Sequence, residues 1–175
     1  RGDLMVMFFA GHGVKKGDAY YLLTRESDPG ADLTGKALSG ADLRAALADV
    51  ECPVLLALDA CHSAGAAPAF RPATDDLTRD LTADAVGVTV LSAAMASETA
   101  GAAAGNGHFT AGLLKGLAAG TGVPFDPYER AVYVHHLYAV VFAEVRRATG
   151  GRQNPFLNMP WTAPPLAVRD VPGGG

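Results

Sequence analysis

Two uninterrupted apolar runs, "LMVMFFA" at 4–10 and "PVLLAL" at 53–58, constrain this chain more than anything else in it. A strand with one wet face alternates polar and apolar residues. A strand apolar throughout has to be covered on both faces, as in a parallel sheet held between helical layers. The segment between the runs supplies a helix. "SGADLRAALADV" opens on Ser39 with Asp42 in the first turn, and Leu43, Ala46 and Leu47 fall at helical spacing. That pattern predicts a helix over 40–49. Strand, helix, strand is the βαβ unit, whose crossover is right-handed.

The rest of the chain extends the same α/β reading. "VGVTVLSAA" (86–94) is a third core strand, and "AYYLL" (19–23) is a shorter one beyond the turn-rich "GVKKGD". "HFTAGLLKGLAAG" (108–120) and "HHLYAVVFAEVRRATGG" (135–151) read as helices. The second sets Leu137, Val140, Val141, Glu144 and Val145 at amphipathic spacing, with Arg146 and Arg147 in its last turn and Gly150 as C-cap. Its start is open: Asp126, Pro127 and Glu129 would cap a helix, while "AVYV" (131–134) suits a short strand. The segment 62–85 has no periodicity and is rich in Pro, Asp, Thr and Arg, as a functional or mobile loop would be. The end of the chain reads as a short strand and a tail, 171–175, after one domain over 1–170.

Composition removes several function classes. A net charge of −4 without a dense Lys/Arg cluster argues against nucleic acid and anionic membranes as partners. No apolar run approaches the roughly 18 residues that span a bilayer. Two cysteines are too few for a disulfide framework or a Cys-x-x-Cys zinc site. Cys52 and Cys61 flank a strand that holds them about 20 Å apart, beyond disulfide reach. Two free thiols fit a reducing, cytoplasmic setting. The chain opens at "RGDLMVMFFAGHG" with almost no lead-in before a core strand, as a domain cut from something longer would. The lack of a signal peptide is therefore uninformative.

Chemistry gathers just beyond the carboxyl ends of parallel strands. The first apolar run leads into Gly11-His12-Gly13 and the second into Asp59-Ala60-Cys61. If the strands are neighbours, His12 and Cys61 sit on adjacent loops at one sheet edge. A free thiol has a pKa near 8.5 and is mostly protonated at neutral pH; an imidazole beside it stabilises the thiolate and can later protonate a leaving amine. Gly13 leaves its N–H unshielded as an oxyanion donor. Taken singly, a cysteine at a strand end is a small core hydrophobe and a histidine between glycines is a turn residue. The juxtaposition is what points to a nucleophile.

"FFAGHG" with "LLALDACHSAG" resembles the motif pair of the caspase-like cysteine peptidases, in particular the metacaspases and their bacterial relatives. Caspase signatures place the His about 50 residues before the Cys; here 49 residues separate them. "YYLLTRESD", "ALSGADLRAAL", "VTVLSAAMASETA", "GNGHFTAGLLKGL" and "GGRQNP" extend the likeness in the same order over nearly the whole chain. The resemblance implies a three-layer fold with a mostly parallel central sheet flanked by helices. It also implies that two strands and their helices precede Arg1, on this or another chain.

On this resemblance Cys61 is the nucleophile, His12 the general acid and base, and the backbone N–H groups of Gly13 and Cys61 the oxyanion hole. Asp59, Ser92 and Glu98 would bind the substrate, with Asp59 as an acidic floor for an Arg or Lys side chain. Another use for Asp59 is as an acceptor for N–H groups that shapes the local backbone. The family's second pocket acid is absent, since Ala96 stands in its place, and Glu98 is the nearest substitute. His62 is expected to point away, and His108 suits a helix cap better than a ligand. The loop 62–85 matches an activation or linker segment, making Arg71 and Arg79 candidate self-cleavage sites. Asp75, Asp76, Asp80 and Asp84 resemble the acids of calcium-dependent metacaspases but lack the alternating spacing of a calcium loop, so no metal or cofactor is expected. The expected partners are protein or peptide substrates and the rest of the domain. The competing readings are a catalytically silent caspase-like scaffold and a small-substrate amidase on the same sheet.

Overall fold

The computed structural model describes residues 3–62, 88–93, 102–103, 106–118, 123, 128, 131–159 and 165–168. In chain order the described elements are β1 (Met5–Lys16), β2 (Ala19–Leu23), β3 (Ala37–Ser39), α1 (Gly40–Ala48), β4 (Val54–His62) and β5 (Val88–Ser92). They continue with β6 (Ala102–Ala103), β7 (Asn106–Gly107), α2 (His108–Leu117), β8 (Ala131–Tyr133), α3 (Val134–Thr149), β9 (Phe156–Asn158) and β10 (Pro165–Val168).

Six strands form one mixed sheet in the order β3-β2-β1-β4-β5-β9. Among the described strands, parallel pairing is confined to β1–β4 and β4–β5; the flanking pairs of this sheet are antiparallel. The reason on one flank is local. β1 does not stop at Gly11 but runs to Lys16, and a tight turn at Gly17 (φ 59) sends the chain straight back as β2. A two-residue turn can only make an antiparallel hairpin. On the other flank, β9 is a three-residue strand paired with β5, too short to show in the sequence pattern.

The apolar runs are explained by two cores, one on each face of the sheet. Leu56, Leu58 and Ala60 of β4 pack with Leu43 and Leu47 of α1, and Met7 and Phe9 of β1 join them. The alternate residues Leu55 and Ala57 pack with Phe109 and Leu113 of α2 and with Leu137, Val141 and Val145 of α3. The arrangement is an α/β fold in three layers. β4 and β5 are covered on both faces, but β1 is not: Val6 is 58% and Phe8 51% exposed on the face away from α1. Among the described residues, no strand pairs with Met5–His12 on the side opposite β4.

The helix ends follow the chemistry of their caps. Ser39 accepts the Asp42 N–H at 3.1 Å and starts α1, as expected. Gly150, at φ 61, ends α3 in the left-handed conformation open to glycine. "AVYV" resolves into a strand over Ala131–Tyr133, with α3 starting at Val134. Glu144 leaves the apolar stripe proposed for α3. It pairs with Lys115 of α2 and with Arg147, each at 2.8 Å, and so ties the two helices together at the surface. No helix among the described residues is long and apolar enough to cross a membrane.

Candidate functional site

The site is built where β1 and β4 run side by side. Their parallel register makes Phe8 the neighbour of Ala57, Ala10 of Asp59 and His12 of Cys61. Neighbouring strands lie about 4.8 Å apart, so the backbones of His12 and Cys61 are direct cross-strand partners. The two residues are not on loops past the strand ends. Both lie inside the strands, because β2 extends the β1 ladder beyond the glycines and β4 runs on to His62. His12 is solvent-exposed.

Gly13 is buried and held from two sides, in register with His62 of β4 and Leu22 of β2. A side chain there would collide with the Tyr20 hydroxyl, so only glycine lets Tyr20 close over this point. Here the register runs through Gly13 on both sides.

Asp59 is 6% exposed, and its carboxylate is engaged inside the protein. Oδ2 accepts the Thr110 N–H at 3.2 Å and the Thr110 hydroxyl. Of the two uses the sequence left open for Asp59, the contacts observed are those of an N–H acceptor. Thr110 and Gly107, which border this carboxylate, were not singled out in the sequence. The available signal was a glycine in the N-cap position of α2, where Ser, Thr, Asn or Asp would ordinarily supply the cap. His108 is the first residue of α2, and no side chain at the N-cap bonds the helix. His108, expected as a helix cap, is instead the first helical residue, and the bond to Thr110 comes from Asp59.

Ser92 does not line an open site. It is 2% exposed, within β5, and in register with Leu58 on one side and Phe156 on the other. One residue on, Ala93 donates its N–H to Leu58 O and receives the Gln153 Nε2 amide at 2.9 Å on its carbonyl. Gln153, in the "GGRQNP" stretch, therefore pins the end of β5 from the loop after α3. Glu98, Ala96, Arg71, Arg79 and the four aspartates of the acidic segment lie outside the described residues. Among the described residues there is no cluster of three or more metal-ligating side chains.

No protein-family model and no curated protein matches the chain. The fold does have a counterpart. The chain is similar to protein GSU0716 from Geobacter sulfurreducens, known from a structural-genomics crystal structure. The TM-score is 0.52 at 18% identity, over 98% of this chain and 71% of that one. A likeness at this identity concerns the fold alone and says nothing about chemistry.

Proposed function

We propose that the protein is a caspase-like cysteine endopeptidase that hydrolyses peptide bonds after Arg or Lys through a Cys61–His12 dyad. The observation that carries the reading is the β1–β4 register, which makes a potential nucleophile and a potential base direct neighbours at one end of the parallel strands. His12 takes the Cys61 thiol proton, the resulting thiolate attacks the scissile carbonyl carbon, and the electron pair of the C=O moves onto oxygen. His12 gives a proton to the amide nitrogen as the C–N bond breaks, leaving a thioester on Cys61. A water then attacks the thioester, His12 takes its proton, and the carboxylic acid leaves as the thiolate is restored. The oxyanion donors in this reading are the backbone N–H groups of Gly13 and Cys61.

In this reading the open flank of β1, with Val6 and Phe8 exposed beside it, receives the remaining strands of the domain from the same or another chain. The test is turnover of Arg-, Lys- and Asp-ended peptide reporters by the full chain. Hydrolysis of the basic reporters that Cys61→Ala abolishes supports the proposal. Absence of turnover by a longer version carrying the preceding strands favours the scaffold.

A further inference from the structure

The geometry points to Asp59 as a positioning residue, a cap supplied from β4 that locks the strand end carrying Cys61 onto the N-terminus of α2. Its catalytic consequence rests on the peptidase reading above; the packing argument does not. A helix begins with four N–H groups that have no partner inside the helix. In α2 the N-cap is Gly107, which has no side chain to offer. One of the four is met from a residue 51 positions away: Asp59 Oδ2 takes the N–H and the hydroxyl of Thr110. Thr110 is the third residue of the helix, the one an N-cap side chain normally serves.

Gly107 completes the arrangement. A Cβ built there would lie 2.7 Å from Asp59 Oδ2, so the missing side chain is what admits the carboxylate. The positive end of the helix dipole favours a negative group in that position. Asp59, Gly107 and Thr110 thus form a long-range staple between two elements that no local sequence signal connects. Cys61 lies two residues beyond the staple on the same paired strand, in register with His12. With Oδ2 given to Thr110, a substrate guanidinium at this carboxylate would have Oδ1 left to bond.

The experiment uses the full chain and three forms: wild type, Thr110→Val and Asp59→Asn, each checked for folding by circular dichroism. Cys61 alkylation by iodoacetamide at neutral pH is followed by peptide mass spectrometry, with Cys52 of the same molecule as the internal reference. Thr110→Val, nearly isosteric, is expected to slow Cys61 by about fivefold while Cys52 is unchanged, the size of one lost hydrogen bond. Asp59→Asn keeps an acceptor oxygen and is expected to stay within roughly twofold of wild type. On Arg- and Gln-ended reporters, Thr110→Val should lower kcat with little change in KM, and Asp59→Asn should keep the wild-type ratio of the two substrates. An unchanged or faster Cys61 in folded Thr110→Val overturns the proposal. So does Asp59→Asn that loses the Arg preference with normal Cys61 reactivity, the signature of a pocket residue. If no form hydrolyses any reporter but the alkylation pattern holds, the peptidase reading falls and the positioning role stands.

Discussion

Replacing Gly13 with alanine tests whether the hairpin that carries His12 is closed by Tyr20 as described. Gly13 does not have a positive φ, so its backbone conformation is open to alanine. The change should even stabilise the chain by about 0.4–1 kcal/mol, through lower entropy of the unfolded state. Against this stands the collision: the new Cβ falls on the Tyr20 hydroxyl, with ring Cε2 3.1 Å away. Tyr20 is buried in the α1-side core, and overpacking such a core costs about 1–3 kcal/mol. The net expectation is a loss of about 1–2 kcal/mol, or roughly 2–8 °C in Tm for a domain of this size. Urea unfolding followed by circular dichroism measures it. Tyr20→Phe leaves the ring in place and should not rescue the variant. Tyr20→Leu is destabilising alone, and combined with Gly13→Ala it should cost less than the sum of the two. A Gly13→Ala protein as stable as wild type, or strict additivity with Tyr20→Leu, would refute the packing described for this hairpin.

Gln153→Leu removes the bond to Ala93 O and leaves that carbonyl buried, so it should cost about 1–3 kcal/mol in the same urea assay; an unchanged midpoint would show that the amide does not pin β5. The pH dependence of stability should include a contribution from His135. Burial first, and the neighbouring His136 second, push its pKa below the usual histidine value. The unfolded chain then binds the extra proton more readily, so this contribution is present above the unfolded pKa and is lost as pH falls below it toward the lower folded value. His135→Gln should flatten the fall in Tm between neutral and mildly acidic pH, and equal slopes in the two proteins would contradict the assignment. Val6→Ser, at a site 58% exposed, should change stability by less than about 1 kcal/mol. A larger loss would mean that the open face of β1 is covered in solution.

Much of the fold was legible because the strongest signals were local. Both faces of β4 are buried, and its run is apolar throughout. Ser39 and Gly150 sit at helix ends where their side chain and backbone freedom respectively are used. The strand boundaries were less legible, because Gly11-His12-Gly13 reads as a turn until β4 is seen to pair through it and β2 to continue the ladder from Gly13. β9 depends on its pairing with β5, and three residues cannot advertise that. At the site, the juxtaposition of His12 and Cys61 could be inferred from two strand ends, since parallel neighbours bring such ends together. The engagement of Asp59 could not, because its partner Thr110 lies on a helix 51 residues away and the enabling feature at Gly107 is the absence of a side chain.

The central claim is that Cys61 is a nucleophile poised by His12, and affinity labelling tests it most directly. An Arg-ended chloromethyl ketone is incubated with the full chain, and the modified residue is located by peptide mass spectrometry. The account predicts a single adduct on Cys61, formed much faster than any on Cys52 and suppressed in His12→Ala. Equal, slow labelling of both cysteines, or Cys61 labelling indifferent to His12, would contradict it.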